Sequence, residues 1–386
     1  MNFVRPYRPI KNRDVACDTL KLISMLFIAI FHCLQRWGAT SYVSGLGFSL
    51  FYSVALAMFF FAGGMLIKRC NNLKDLGIYI GKTLITYLVP AYLFTCLSIW
   101  ALPRFTLFEK PFSFWMNELY LRTDTFYWFF LVAAFINIFI AIIYYLTTLV
   151  KNKALWMDIL KAAFLIGMSC GYLMVFLFIY NQPDLGPGCL SANMVLYYYP
   201  ISLLAFLFAM FRGYLTKLRH LKVYAFALFL GCLGAYIILL LRYSDWLPGL
   251  KGDFWEITGH AICSFCGVVS YFYIFKLIAK YRFVDRISNL GSYSGPFYLV
   301  HVYIVRLLTS YIARGDINDR TYGSFVVFLT ICFVSGSLLI TMFLCIIPYS
   351  DLLLFGNVRR IKDALNPRKW FVREIRYCAG DKAADV

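Results

Sequence analysis

Ten stretches of this 386-residue chain are each apolar for about the thickness of a bilayer, and that repetition leaves few folds open. They cover residues 15–37, 46–67, 76–101, 126–149, 157–180, 194–211, 223–241, 257–278, 293–311 and 323–347. Within hydrocarbon every backbone N–H and C=O needs an internal partner, so spanning segments are helices or closed barrels. The runs are long and lack two-residue alternation, which argues for helices. The 194–211 run is the shortest and carries Pro200, making it the weakest of the ten. A soluble domain could not hide this surface: the chain is 61% hydrophobic and 15% charged, against about 45–50% and 25% for globular proteins. The sequence predicts an all-α, polytopic membrane helical bundle of about ten transmembrane helices. Residues 1–356 would form one membrane-embedded domain and 357–386 a short basic tail.

Charge placement gives the orientation. If the N-terminus is cytoplasmic, segments on the inner side carry 25 of the 37 Lys and Arg, outer segments carry 8, and four (Lys21, Lys82, Lys161, Arg306) lie within runs. Lys and Arg concentrate on the cytoplasmic side of membrane proteins, so both termini are predicted inside. This also accounts for the net charge of +18 through topology and attraction to anionic lipids, and no nucleic-acid partner is expected. The basic start MNFVRPYRPIKNRD runs into a full-length apolar segment without a small-residue cleavage site, so the first helix is expected to stay as an anchor. Of twelve cysteines only Cys189 falls in a predicted outer loop, and no disulfide framework is expected.

Ionisable residues inside spans are costly and mark functional positions. In DTLKLISMLFIAIFHCLQRW (18–37), Lys21 and His32 are eleven residues apart, three helical turns plus about 20°, so they share a face about 16 Å apart along the axis. An elongated ligand entering from the cytoplasm could set phosphates on Lys21 and a reactive end at His32. Acyl-coenzyme A has that shape, and a histidine there is suited to act as general base toward a hydroxyl. The competing view is that Lys21 snorkels to headgroups and His32 makes a packing hydrogen bond. Glu256 and His260, at i and i+4 where the eighth run begins on the predicted outer side, could form an acid/base pair for an acceptor or a simple interfacial ion pair. His260, Cys263 and Cys266 read H-x-x-C-x-x-C, but one continuous helix seldom gives tetrahedral geometry, and no metal is expected.

Several segments together resemble the integral membrane acyltransferase-3 family, particularly its fucose 4-O-acetylase-like branch. Asp18–Lys21 followed by His32 is similar to the family's Arg/Lys-x10-His motif in the first helix. FFFAGGMLIKR (59–69) resembles its FF-x-SG segment with a basic residue beyond, with Gly63 where the serine stands. GKTLITYLVPAYLF (81–94) resembles its third helix, and LGSYSGPFYLVHVYIV (290–305) its late helix ending in YL-x-H. Relatives often carry two arginines one turn apart after the second helix; here Lys68 and Arg69 are adjacent, followed by Asn72 and Lys74. The resemblance implies transfer of an acyl group, most often acetyl, from cytoplasmic acyl-CoA to a hydroxyl of a cell-surface or lipid-linked glycan, in the inner (plasma) membrane. It implies His32 as catalytic residue, Lys21 as a coenzyme-binding or His-supporting cation, Lys68 and Arg69 as phosphate contacts, and acetyl-CoA as co-substrate. Tyr127 and Trp128, at the opening of the fourth helix, and His301 are implied acceptor-side residues. Lys68 and Arg69 also fit topological anchoring, Tyr127 and Trp128 an interfacial belt, and His301 helix packing. A multi-span transporter or a glycan flippase or polymerase is the rival class, with the intramembrane cations lining a path; no internal repeat supports it.

Overall fold

A computed structural model describes residues 14–36, 46–100, 127–149, 155–180, 191–242, 254–311 and 319–357. Twelve α-helices are described: α1 (Val15–Arg36), α2 (Leu46–Met65), α3 (Leu73–Trp100), α4 (Trp128–Thr148), α5 (Leu155–Tyr180), α6 (Ala192–Leu215), α7 (Leu221–Arg242), α8 (Phe254–Ile278), α9 (Arg282–Ser288), α10 (Ser294–Tyr311), α11 (Asp319–Ile346) and α12 (Pro348–Phe355). A 3₁₀ turn, Asn289–Tyr293, joins α9 to α10. Every apolar run has become a helix, and the described residues form an all-α membrane bundle. Eight of the helices are long and apolar enough to cross a bilayer. The other two predicted spans are α2, whose apolar reach is Ser49–Met65, and α10, which carries His301 and opens on Ser294.

α6 is the helix of the 194–211 run, the weakest of the ten in the sequence. It is 24 residues long and runs straight through Pro200. A proline inside a membrane helix is tolerated when neighbours supply the polar contacts it disrupts. Two residues on, the Ser202 hydroxyl donates to the Phe60 carbonyl of α2 at 3.1 Å, and Gly64 lies so close to the Ser202 carbonyl that a Cβ would collide with it.

Position in the bundle follows from composition. The spans of α1 and α4 are 61% buried, those of α5 and α7 only 17%. α5 and α7 therefore present Phe178, Leu228 and Ile238 outward, where lipid replaces water as solvent. α1 is central, touching α2, α8, α9, the 3₁₀ turn, α10 and α11. Ser24 donates to the Ala55 carbonyl, tying α1 to α2.

The end of the bundle where α1 begins is held by charge. Asp14 accepts from Arg212 of α6 at 3.1 Å and from Lys276 of α8 at 2.9 Å. Burial alone would raise the Asp14 carboxyl, but the hydrogen bond and charge of Lys276, with Arg212 adding, hold it below the ordinary carboxylate value. At the same end Tyr214 of α6 donates to Asp158 of α5 at 2.7 Å. Gly291 of the 3₁₀ turn sits against the Asp18 carbonyl, in a space that excludes a methyl group. This contact seats the turn on α1 and fixes the height at which α10 rises beside it.

Candidate active site

Two histidines meet where α1 and α10 run side by side. His32 Nδ1 lies 3.1 Å from His301 Nε2, and the rings are nearly parallel, 16° apart with centroids at 5.3 Å. α10 clamps His301 from the turn below. The Phe297 ring stacks on it at 5.1 Å, and the Tyr298 ring meets it edge-on at 5.3 Å. His301 is 1% exposed, whereas His32 is half-buried.

The hydrogens of this pair can be assigned from one contact. His301 Nδ1 lies 3.0 Å from the Phe297 carbonyl, and a carbonyl only accepts, so Nδ1–H donates. In the neutral ring Nε2 then carries the lone pair and accepts from His32 Nδ1–H. His32, so fixed, has its own lone pair on Nε2, the nitrogen turned away from His301. A proton taken up there is stabilised through Nδ1, because the bond to His301 becomes charge-assisted. The arrangement can perform general-base chemistry, with one imidazole orienting another.

Lys21 is paired with Asp18 one turn earlier, at 3.4 Å, and both side chains are largely buried. It makes no contact with His32, in keeping with their separation of about 16 Å along the helix. In the segment between α2 and α3, Lys68 pairs with Asp75 at 2.9 Å. That hydrogen bond holds the ammonium above the ordinary lysine value and so keeps it charged. Asn72 caps α3 by accepting from the Asp75 N–H at 2.7 Å, and its amide donates to the Asp75 carboxylate at 2.8 Å. Arg69 beside them is exposed. Gly63, where relatives have serine, faces open space.

Tyr127 and Trp128 head α4 but are not equivalent. Tyr127 is 1% exposed, its ring 6.2 Å from that of Phe94. Trp128 is half-buried and lies nearly parallel to Tyr198 of α6, 6.3 Å away. His260 lends its carbonyl to the Tyr197 hydroxyl at 3.0 Å, while the Glu256 side chain lies outside the described residues. Cys263 donates to the Tyr236 carbonyl at 3.9 Å, within the packing of α7 on α8. Among the described residues the cysteines are free thiols, and Cys189 lies outside them.

Of the residues singled out in the sequence, the structure brings His32 and His301 into contact and keeps Lys21, Lys68 and Arg69 apart from them. Sequence reasoning missed that His301 reaches His32 itself, although the YLVH match flagged the residue. It also missed Tyr198, which the run YYYP gives no reason to prefer over its neighbours.

No curated protein and no solved structure matches the chain. A family model described as an acyltransferase domain, Acyl_transf_3, matches residues 14–349, which takes in α1 to α11 and with them both histidines. The chain therefore belongs to the acyltransferase-3 family, and it is a multi-pass membrane acyltransferase.

Proposed function

We propose that this acyltransferase moves an acetyl group from acetyl-CoA, bound from the cytoplasmic side of the inner (plasma) membrane, to a hydroxyl of a cell-surface or lipid-linked glycan. His32 Nε2 is the general base. It removes the acceptor hydroxyl proton as that oxygen attacks the thioester carbonyl. The new C–O bond forms, the C–S bond breaks, and the proton passes from His32 to the departing sulfur, giving the ester and free coenzyme thiol. His301 is the positioning residue: it holds the His32 proton on Nδ1 and steadies the imidazolium while it exists. A positioned base of this kind contributes roughly 10²–10⁴-fold to the rate.

Lys21, three turns below His32, belongs with the donor. Asp18 holds it in an ion pair, which an anionic coenzyme group could share. Lys68 and Arg69, near the same end, are further phosphate contacts in this reading. Tyr127, Trp128, Glu256 and His260 stand on the acceptor side. The excess of Lys and Arg on segments at the end where α1 begins supports that end being cytoplasmic, and both termini with it.

The single observation that carries the mechanism is the proton chain from His32 through His301 to the Phe297 carbonyl, which leaves one defined nitrogen as base. The test uses membrane vesicles of defined sidedness, containing the protein, given radiolabelled acetyl-CoA on the cytoplasmic face. Label should appear as alkali-labile ester on glycan at the opposite face. Transfer that proceeds equally in vesicles lacking the protein, or no dependence on acyl-CoA with any glycan supplied, contradicts the proposal.

A further inference from the structure

Tyr197, Tyr198 and Tyr199 follow one another on α6, and the hundred-degree step of the helix sends their rings in three directions. The outer two are fully accounted for. The Tyr197 hydroxyl donates to the His260 carbonyl at 3.0 Å and lies 2.6 Å from Ser264 Oγ. The Tyr199 hydroxyl lies 2.7 Å from Ser169 Oγ. Tyr198 differs. Its residue is 8% exposed, yet among the described residues its hydroxyl has no hydrogen-bond partner, and it is not one of the side-chain oxygens sealed from solvent. A phenol cannot turn back onto its own helix as serine and threonine do. This one is left to bond what reaches it from outside the helix.

Shared aromatic packing connects its ring to the histidine pair. The Tyr198 ring is fixed between Phe60, stacked at 4.4 Å and 13°, and Trp128, at 6.3 Å and 19°. Phe60 in turn meets Phe129 at 5.1 Å, and Phe129 meets Tyr298 at 5.0 Å. The Tyr298 ring meets His301 at 5.3 Å, and the Tyr52 ring lies 4.4 Å from Phe31, beside His32. A hydroxyl that is neither paired within the protein nor sealed away can bond a group that arrives beside it.

We propose that Tyr198 is an acceptor-binding residue whose hydroxyl hydrogen-bonds a carbohydrate hydroxyl, its ring held in place by Phe60 and Trp128. A sugar offers what this phenol lacks, hydroxyls that both donate and accept. The inference rests on the acyl-transfer reading for its meaning, but it can be tested without transfer.

The experiment measures equilibrium binding of radiolabelled methyl glucoside, methyl galactoside and methyl fucoside to purified full-length protein with no donor present. Tyr198→Phe keeps the ring and its stacking and deletes only the hydroxyl. It should weaken binding of the preferred glycoside about tenfold, the equivalent of roughly 1.4 kcal/mol. Tyr199→Phe, whose hydroxyl serves Ser169, should stay within twofold of wild type, and thermal melting of the two variants should agree. If Tyr198→Phe binds as wild type, the hydroxyl meets only water and the proposal is overturned. The same holds if no glycoside binds to wild type. A wild-type protein that binds glycoside through Tyr198 but never acetylates it would instead remove the acyl-acceptor reading while leaving the subsite intact.

Discussion

Replacing His301 by alanine isolates the contribution of the second imidazole. In the resting site its Nε2 accepts an ordinary hydrogen bond from His32, worth about 0.5–1.5 kcal/mol net. When His32 holds the acceptor proton the same bond is charge-assisted and about twice as strong. The difference, about 1 kcal/mol, is available only in the transition state and corresponds to roughly fivefold in kcat. A second loss adds to it. Without the acceptor at 3.1 Å, His32 can move its proton to Nε2 and present no lone pair to the hydroxyl. Together these predict a fall in kcat of about 10- to 100-fold, with KM for acetyl-CoA within twofold of wild type. His301→Gln places an amide oxygen where Nε2 stood and should recover part of the loss. The assay is initial-rate transfer from labelled acetyl-CoA, normalised to folded protein by gel filtration. Alanine at full kcat, or glutamine no better than alanine at equal folded yield, refutes the reasoning.

Other outcomes follow from the same contacts. Lys21→Ala should raise KM for acetyl-CoA about tenfold or more and change kcat much less, as expected if a charged hydrogen bond of about 1.5–3 kcal/mol to the coenzyme is lost; steady-state kinetics in donor concentration decides it. Gly291→Ala drives a methyl group into the Asp18 carbonyl and should destabilise by about 1–3 kcal/mol in detergent melting, whereas Gly63→Ser, facing open space, should leave the midpoint unchanged. Asp14, held below the ordinary value of 3.8, lends stability that is fully present above that pH and is lost as pH falls through its folded value. Thermal stability should therefore be insensitive to this group from pH 7 to 5 and drop below about 4, and Asp14→Asn should show the lower stability already at pH 7.

Much of the fold was legible because the bilayer restricts what an apolar run can become. All ten runs are helices, and the motif resemblance named the family that residues 14–349 match. The 194–211 run, made the weakest by Pro200, is a full span, and Ser202 and Gly64 show the close α2–α6 packing around it. The histidine pair was half legible. Each residue stood out as an imidazole inside a span, but they are 269 positions apart, and helical periodicity says nothing about which helices become neighbours. Tyr198 was illegible in principle. In a row of three tyrosines only the packing decides which two hydroxyls find partners.

His32 is where the account is most exposed. Turnover of purified His32→Ala, with binding of acetyl-CoA and elution volume matching wild type, is the direct measurement. Loss of at least a hundredfold in kcat is the predicted result, in line with removal of a general base. A folded, donor-binding His32→Ala protein that still turns over at the wild-type rate would contradict it.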